Sequence, residues 1–315
     1  MYISSTLVSL FLASSLVEAR SHARRCDDHS SLATALKPSD YGPGFSTTLP
    51  SLKPTSTKSS QSPSTSPSTP TPTPTPDVPG GHSIDFSTYN PTSDGTVESF
   101  LNKHGYMVSK YLIENDGVEG SIPREFVKEN VDIKNGILRL KVNGQPTTKG
   151  SKNTIISSEI ESKDSFNYGT LETWAKATPV EGVCQGIFFY DSDNAEVDIE
   201  LLSSYYNKGY RQYLDPGVQY TNQALVEGGK STSIGQPYGF DPTADFHNYT
   251  IRWTPTASEF YIDGEHRNSF DENVPVNIPS KIIYNNWANG DKKWSAGPPN
   301  ADAYFEIKSF KYTPL

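Results

Sequence analysis

The 315-residue chain is poor in sulfur, with two cysteines and two methionines. Cys26 and Cys184 lie on opposite sides of a long Pro/Ser/Thr tract, which argues against a bridge between them. Cys184 sits in the apolar, strand-like run Gly182-Val183-Cys184-Gln185-Gly186-Ile187, where a buried free thiol is expected, and Cys26 is left unpaired or open to an intermolecular bond. Positive charge is also short. Lys and Arg number 27 against 36 Asp and Glu, a net charge of −9, and an acidic balance argues against nucleic acid as a partner. No long hydrophobic run is present. The apolar segment Leu7–Val17 is too short to span a bilayer, so no membrane span is expected. Nor does any stretch of ten or more residues show convincing helical amphipathicity, which leaves all-α classes without support.

What the chain has is aromatic side chains, 18 Tyr and 14 Phe, among frequent turn residues, a composition that leans all-β. Three segments follow from composition. Residues 1–19 read as a secretory signal peptide, whose apolar core ends at Val17-Glu18-Ala19, a small-residue cleavage pattern. Residues 20–82 read as a disordered Ser/Thr/Pro-rich linker, because the alternating Thr-Pro of 71–76 cannot form helix or sheet ladders and favours extended polyproline II. The same composition fits an O-glycosylated stalk. The folded domain is expected over 83–315, and a secreted, extracellular or cell-wall location follows.

Strand signals recur at short intervals in that domain. Ile137–Val142 alternates and stops at Asn143-Gly144, and Gly169–Lys176 alternates. His247–Trp253 places His247, Tyr249, Ile251 and Trp253 on one face. Glu259–Ile262 meets the two-residue turn Asp263-Gly264 before Glu265-His266-Arg267, a hairpin signal. Tyr304–Tyr312 adds a last strand. Many short strands in a domain of this size predict a sandwich or barrel.

One stretch carries chemistry. Ala195-Glu196-Val197-Asp198-Ile199-Glu200-Leu201 alternates with period 2, so the four apolar residues share one face and Glu196, Asp198 and Glu200 share the other. Three carboxylates in a row repel and gain nothing from packing. The residues alone leave open an acidic solvent-facing strand, a cation site with oxygen ligands, or a retaining glycosidase, which needs two carboxyl groups about 5–5.5 Å apart. The Cα atoms of Glu196 and Glu200 are roughly 13 Å apart at ~3.3 Å per residue, a gap that inward-leaning Glu side chains largely close.

The chain resembles glycoside hydrolase family 16, the family of lichenases, laminarinases and fungal cell-wall transglycosylases. Glu196-Val197-Asp198-Ile199-Glu200 matches its Glu-x-Asp-x-Glu signature intact. Ser158-Glu159 followed by Tyr168-Gly169-Thr170-Leu171-Glu172 resembles the strand pair that precedes it. Phe246–Thr254 with Phe260–Gly264 resembles its hairpin, and Asn277-Ile278-Pro279 with Tyr284-Asn285-Asn286-Trp287 a later stretch. The resemblance implies a secreted enzyme with a concanavalin A-like β-jelly-roll sandwich whose concave sheet binds a β-glucan chain. It implies Glu196 as nucleophile, Glu200 as general acid/base and Asp198 as the residue that steers their protonation. It also implies Glu159, Asn285, Trp287 and Trp294 as substrate contacts, and His247 as a satisfied core histidine. No cofactor is required, a structural calcium ion is possible, and a monomer is expected. The chain departs from lichenase-type members at Asn194-Ala195, where they carry Trp-Asp, and at Glu161, where Arg is usual. These changes leave the three carboxylates intact and alter their surroundings.

The expected activity is endo-hydrolysis of β-1,3 or mixed β-1,3/1,4-glucan with retention. The alternatives are a cell-wall transglycosylase of the same family, a non-catalytic glucan-binding lectin-like module, and a structural wall protein acting through its stalk. The absence of a hydrophobic tail after Phe310 favours free secretion over a lipid anchor. Asn248-Tyr249-Thr250 is an N-glycosylation acceptor, with Asn248 expected on the face opposite His247 and Tyr249.

Overall fold

The computed structural model describes residues 80–114, 117–149, 152–209 and 214–315. The signal peptide and nearly all of the linker lie outside the described residues. Two short helices, α1 (Pro91–Asp94) and α2 (Val97–Lys103), follow the first of eighteen described strands. The strands are β1 (His82–Asp85), β2 (Tyr106–Val108), β3 (Tyr111–Ile113), β4 (Arg124–Phe126), β5 (Val131–Lys134), β6 (Ile137–Val142), β7 (Thr147–Lys149), β8 (Lys152–Ser162), β9 (Gly169–Lys176), β10 (Cys184–Ser192), β11 (Ala195–Leu202), β12 (Val218–Asn222), β13 (Thr232–Gln236), β14 (His247–Trp253), β15 (Ser258–Ile262), β16 (Glu265–Phe270), β17 (Lys281–Trp287) and β18 (Ala303–Pro314). The first strand therefore straddles the expected boundary at Ser83.

The helices exist because their ends are capped. Asn90 Oδ1 accepts the Thr92 amide and Thr96 Oγ1 accepts the Ser99 amide, each satisfying a first-turn donor. Phe100 and Leu101 of α2 are buried in the core. The Asp263-Gly264 turn closes β15 onto β16 with both residues at positive φ, 53° and 80°, the geometry of a two-residue hairpin that follows strand twist.

The strands form two layers. The back sheet runs β16-β15-β14-β9-β18-β6-β5, and the front sheet β13-β12-β11-β10-β17-β8-β4-β3. Pairing is antiparallel except between β4 and β8. β18 lies inside the back sheet, with β9 along one edge and β6 then β1 along the other. The predicted alternation holds strand by strand. Tyr249, Ile251 and Trp253 of β14 face Val197, Ile199 and Leu201 of β11 across a continuous core. Trp253 donates its indole N–H to the Pro275 carbonyl at 3.0 Å, so its burial leaves no polar atom stranded.

One expectation is corrected. The segments around Glu159 and Leu171 are not a strand pair: β8 belongs to the front sheet and β9 to the back sheet. The chain crosses between layers at residues 163–168, where the isolated bridge Phe166↔Ser280 marks the passage. β9 alternates, whereas β8 is buried almost continuously from Thr154 to Ser162, and neither local pattern specifies which sheet a strand joins.

His82, on β1, packs against the Phe166 and Tyr312 rings with Nε2 2.8 Å from the Tyr106 hydroxyl. Burial lowers its pKa below the ordinary 6.5, and Asp164 only partly offsets this. A depressed histidine pKa means that the unfolded chain binds the extra proton more readily. The contribution of His82 is therefore complete above pH 6.5 and declines as pH falls through 6.5 toward the folded-state value. Urea unfolding of wild type and His82→Gln at pH 7.5 and 5.0 checks this: the loss of stability on acidification should be smaller in the variant, and an equal or larger loss would contradict it.

Candidate active site

The pleat of β11 sends Val197, Ile199 and Leu201 into the core and Glu196, Asp198 and Glu200 to the opposite face of the front sheet. Glu196 and Asp198 are buried on that face and Glu200 is half-buried. Neighbouring strands fix what stands beside each carboxylate. Tyr190 of β10 is directly opposite Glu196, Phe188 opposite Asp198, and Gly186 opposite Glu200. On the other side, Thr221 of β12 is opposite Asp198 and Gln219 opposite Glu200.

The register continues in a line across the sheet. Gly186 is opposite Asn285 of β17, and Asn285 is opposite Glu159 of β8. Gln219, Glu200, Gly186, Asn285 and Glu159 thus form one cross-strand row spanning five strands. Gly186 cannot be larger without disturbing this row, because a Cβ there would lie 2.6 Å from Asn285 Oδ1. That buried oxygen has no hydrogen-bond partner among the described residues.

Glu200 Oε1 receives two hydrogen bonds, from the Trp294 indole N–H at 3.2 Å and the Cys184 thiol at 3.1 Å. Trp294 comes from the loop after β17, which is braced internally. Ser295 Oγ donates to Asn289 Oδ1, the Asp291 amide donates to the same oxygen, and the Tyr205 hydroxyl donates to the Lys292 carbonyl. Gln223 Nε2 reaches Asp198 Oδ2 at 3.5 Å, and Ser231 Oγ holds the Gln223 carbonyl oxygen at 2.8 Å.

Two of the residues expected as substrate contacts are engaged by protein groups. Glu159 is buried, with Oε1 accepting from Ser109 Oγ (2.8 Å) and Tyr111 OH (3.0 Å) and Oε2 from Asn285 Nδ2 (3.2 Å). It anchors Asn285 from the end of the row. Trp287 is buried too, with the Arg124 guanidinium 4.4 Å above its ring. Asn285 and Trp294 remain beside the carboxylates. His247 is half-buried, with Nδ1 2.7 Å from Asp263 Oδ2 and its ring stacked on Phe240, as expected of a satisfied histidine.

Cys184, Gly186 and Gln219 were not singled out as site residues from the sequence. The hairpin of Cys184–Ser192 on Ala195–Leu202 is legible, but a two-residue turn at Asp193-Asn194 alone would pair Gly186 with Leu201; the bulge between Tyr190 and Ser192 moves Gly186 opposite Glu200 and Cys184 onto the same face. Ser109 and Tyr111 have no comparable signal, being 50 and 48 residues from Glu159. Among the described residues no group of three or more His, Cys, Asp or Glu is arranged to hold a metal ion, and no helix is long and apolar enough to cross a membrane.

Comparison with known proteins bears on this geometry. The family profile of the glycosyl hydrolases family 16 matches residues 122–305, more than half of the chain. A beta-glucanase of Acetivibrio thermocellus is 34% identical over 148 residues, covering 44% of this chain and 40% of the relative. A probable xyloglucan endotransglucosylase/hydrolase of Arabidopsis thaliana is 31% identical over 138 residues, covering 42% of this chain and 41% of the relative. The chain thus spans about two fifths of the length of these relatives. In fold, the described architecture is similar to a prokaryotic β-1,3-1,4-glucanase (lichenase) from a mouse hindgut metagenome, with a TM-score of 0.56 at 21% identity over 75% of this chain and 99% of that one. This likeness establishes the jelly-roll sandwich.

Removing one donor from the buried Glu159 carboxylate should be felt in stability. Tyr111→Phe is expected to cost about 1.5–3 kcal/mol in chemical unfolding, the range for a hydrogen bond to a charged acceptor. Combined with Glu159→Gln it should cost less than it does alone. Additive losses in that double-mutant cycle would show that the two side chains are uncoupled.

Proposed function

Because the chain belongs to the glycosyl hydrolases of family 16, we propose that it is a secreted, retaining endo-β-glucanase acting on β-1,3 or mixed β-1,3/1,4-glucan. The observation that carries this reading is the placement of Glu196, Asp198 and Glu200 on one face of β11, opposite the core. Glu196 attacks the anomeric carbon while Glu200 protonates the departing glycosidic oxygen, which leaves a glycosyl ester on Glu196. Glu200, now a carboxylate, takes a proton from the incoming water, whose oxygen displaces Glu196 with net retention. Asp198 stands between them, and its negative charge opposes ionisation of both neighbours, which favours the proton that the acid catalyst must hold. The nucleophile, acid and base are all side chains, so the double displacement calls on no cofactor.

The neighbours of Glu200 refine this. An indole N–H can only donate, so Oε1 is held as an acceptor by Trp294 and by the Cys184 thiol. The proton for the leaving group is then carried on Oε2. At Gly186 the Asn285 and Phe188 side chains close over the sheet, so the missing Cβ is what lets Asn285 lie in the row beside Glu200. Glu159 and Trp287 flank Asn285 on the same face of the sheet. The signal-like segment ending at Ala19 and the acceptor site at Asn248 support secretion as a glycoprotein.

The first experiment is a product time course on laminarin and on barley mixed-linkage glucan with wild type and Glu196→Gln. New reducing ends are expected from wild type alone, with the faster substrate fixing the linkage class. Products longer than the starting oligosaccharide would move the activity to glycosyl transfer, and binding without cleavage would replace the enzyme with a lectin. Glu200→Gln should lose roughly 10²–10⁴-fold on glucan yet keep much more activity on aryl glycosides, whose leaving groups need no acid.

Cys184 has its own signature. Its hydrogen bond stabilises the Glu200 carboxylate, so Cys184→Ala should raise the acid's pKa and carry the alkaline limb of the pH–kcat/KM profile to higher pH. Cys184→Ser restores a donor and should return the limb toward wild type. Coincident profiles in all three proteins would remove Cys184 from the proton-handling machinery.

A further inference from the structure

We propose that Trp174, on the outward face of the back sheet, is the stacking platform for a sugar ring linked to Asn248. This inference is independent of the front-face chemistry. The chain has four tryptophans. Trp253, Trp287 and Trp294 are buried, whereas Trp174 is 42% exposed in the middle of β9. A large indole left in water on a central strand forgoes the burial that would ordinarily reward it.

Its direct partner on β14 is Asn248. Directly opposed residues of an antiparallel pair share a face, with Cβ atoms about 4.5–5.5 Å apart. Asn248 opens the acceptor sequence Asn248-Tyr249-Thr250. The Thr250 hydroxyl donates to Asn248 Oδ1 at 3.1 Å, and among the described residues Nδ2 makes no hydrogen bond. The reactive nitrogen is thus unengaged beside the indole. On its other side, Trp174 is paired with Ser309 of β18, and a shallow depression there is bordered by Asp85, Glu172 and Lys311. These side chains supply donors and acceptors for sugar hydroxyls around one aromatic face, the composition of a saccharide platform.

The modification is an oligosaccharyl transfer from a lipid-pyrophosphate donor in the secretory pathway. A bond forms between Nδ2 and C1 of N-acetylglucosamine, the C1–O bond to pyrophosphate breaks, Nδ2 loses one proton, and the lipid pyrophosphate leaves as an anion. The first sugar is then one strand spacing from Trp174, close enough to lay its apolar C–H face on the indole. Two features that are unexplained separately, an exposed tryptophan and an acceptor asparagine at the start of the neighbouring strand, account for each other.

The test uses the full chain secreted from a eukaryotic host. Intact mass before and after endoglycosidase H, which leaves one N-acetylglucosamine on the asparagine, should show occupancy that Asn248→Gln removes. The trimmed protein should keep the Tm of the untrimmed one, because the first sugar makes the contact. Asn248→Gln should lower Tm by roughly 2 °C, and by nothing measurable in a Trp174→Ala background. Iodide quenching of tryptophan fluorescence needs no Trp174 variant and should increase in Asn248→Gln as the indole is uncovered. A bare Asn248, an equal Tm loss in both backgrounds, or unchanged quenching would overturn the proposal. So would a bare Asn248 together with weaker retention of Glu196→Gln/Trp174→Ala than of Glu196→Gln on insoluble glucan, which would give the platform to a free polysaccharide.

Discussion

The pleat of β11 commits each of its side chains to one of two environments, and the architecture follows from that division. Val197, Ile199 and Leu201 go to the core, each worth ~1.5–3 kcal/mol of burial. Glu196, Asp198 and Glu200 go to the other face, where adjacent carboxylates ~7 Å apart repel by roughly 2 kcal/mol per pair if all are ionised, at an effective dielectric constant near 20. The apolar side of the strand outweighs the acidic side, so the charges are held together by hydrophobic contacts on the opposite face. A shift of register by one residue would exchange the two sets and lose both.

Sheet pairing then does what chain proximity cannot. The row from Gln219 through Glu200, Gly186 and Asn285 to Glu159 draws on segments more than 100 residues apart and lines them up at one strand spacing each. Rigidity along the row comes from different sources at each end. Glu159 is fixed by hydroxyl and amide donors from β17 and the region of β3, and Glu200 by the braced loop that presents Trp294. Between them the absent side chain of Gly186 is itself a structural element, because it lets Asn285 lie in the row beside Glu200.

What could be read from the sequence follows the range of each interaction. The alternation at 195–201, the turn at Asp263-Gly264 and the apolar face of His247–Trp253 are local, and the structure carries all three. Assigning β8 and β9 to one pair failed because a burial pattern local to a strand does not say which sheet it enters. The Arg124 guanidinium over Trp287 comes from 163 residues earlier, and no local pattern announces it. Glu159 stands in the row, and its donors Ser109 and Tyr111 reach it only through tertiary folding.

The interior position of β18 has a consequence for how the chain acquires its fold. It is the last described strand, yet the back sheet pairs with it on both edges, β9 on one side and β6 and β1 on the other. Until residues 303–314 emerge from the ribosome, three strands present open edges that could pair with another chain. The sandwich is therefore closed by its final segment, so folding is set by contacts between the two ends of the domain and belongs to the slow, high-contact-order regime. During that interval the unfinished back sheet is the part of the molecule most in need of protection from aggregation.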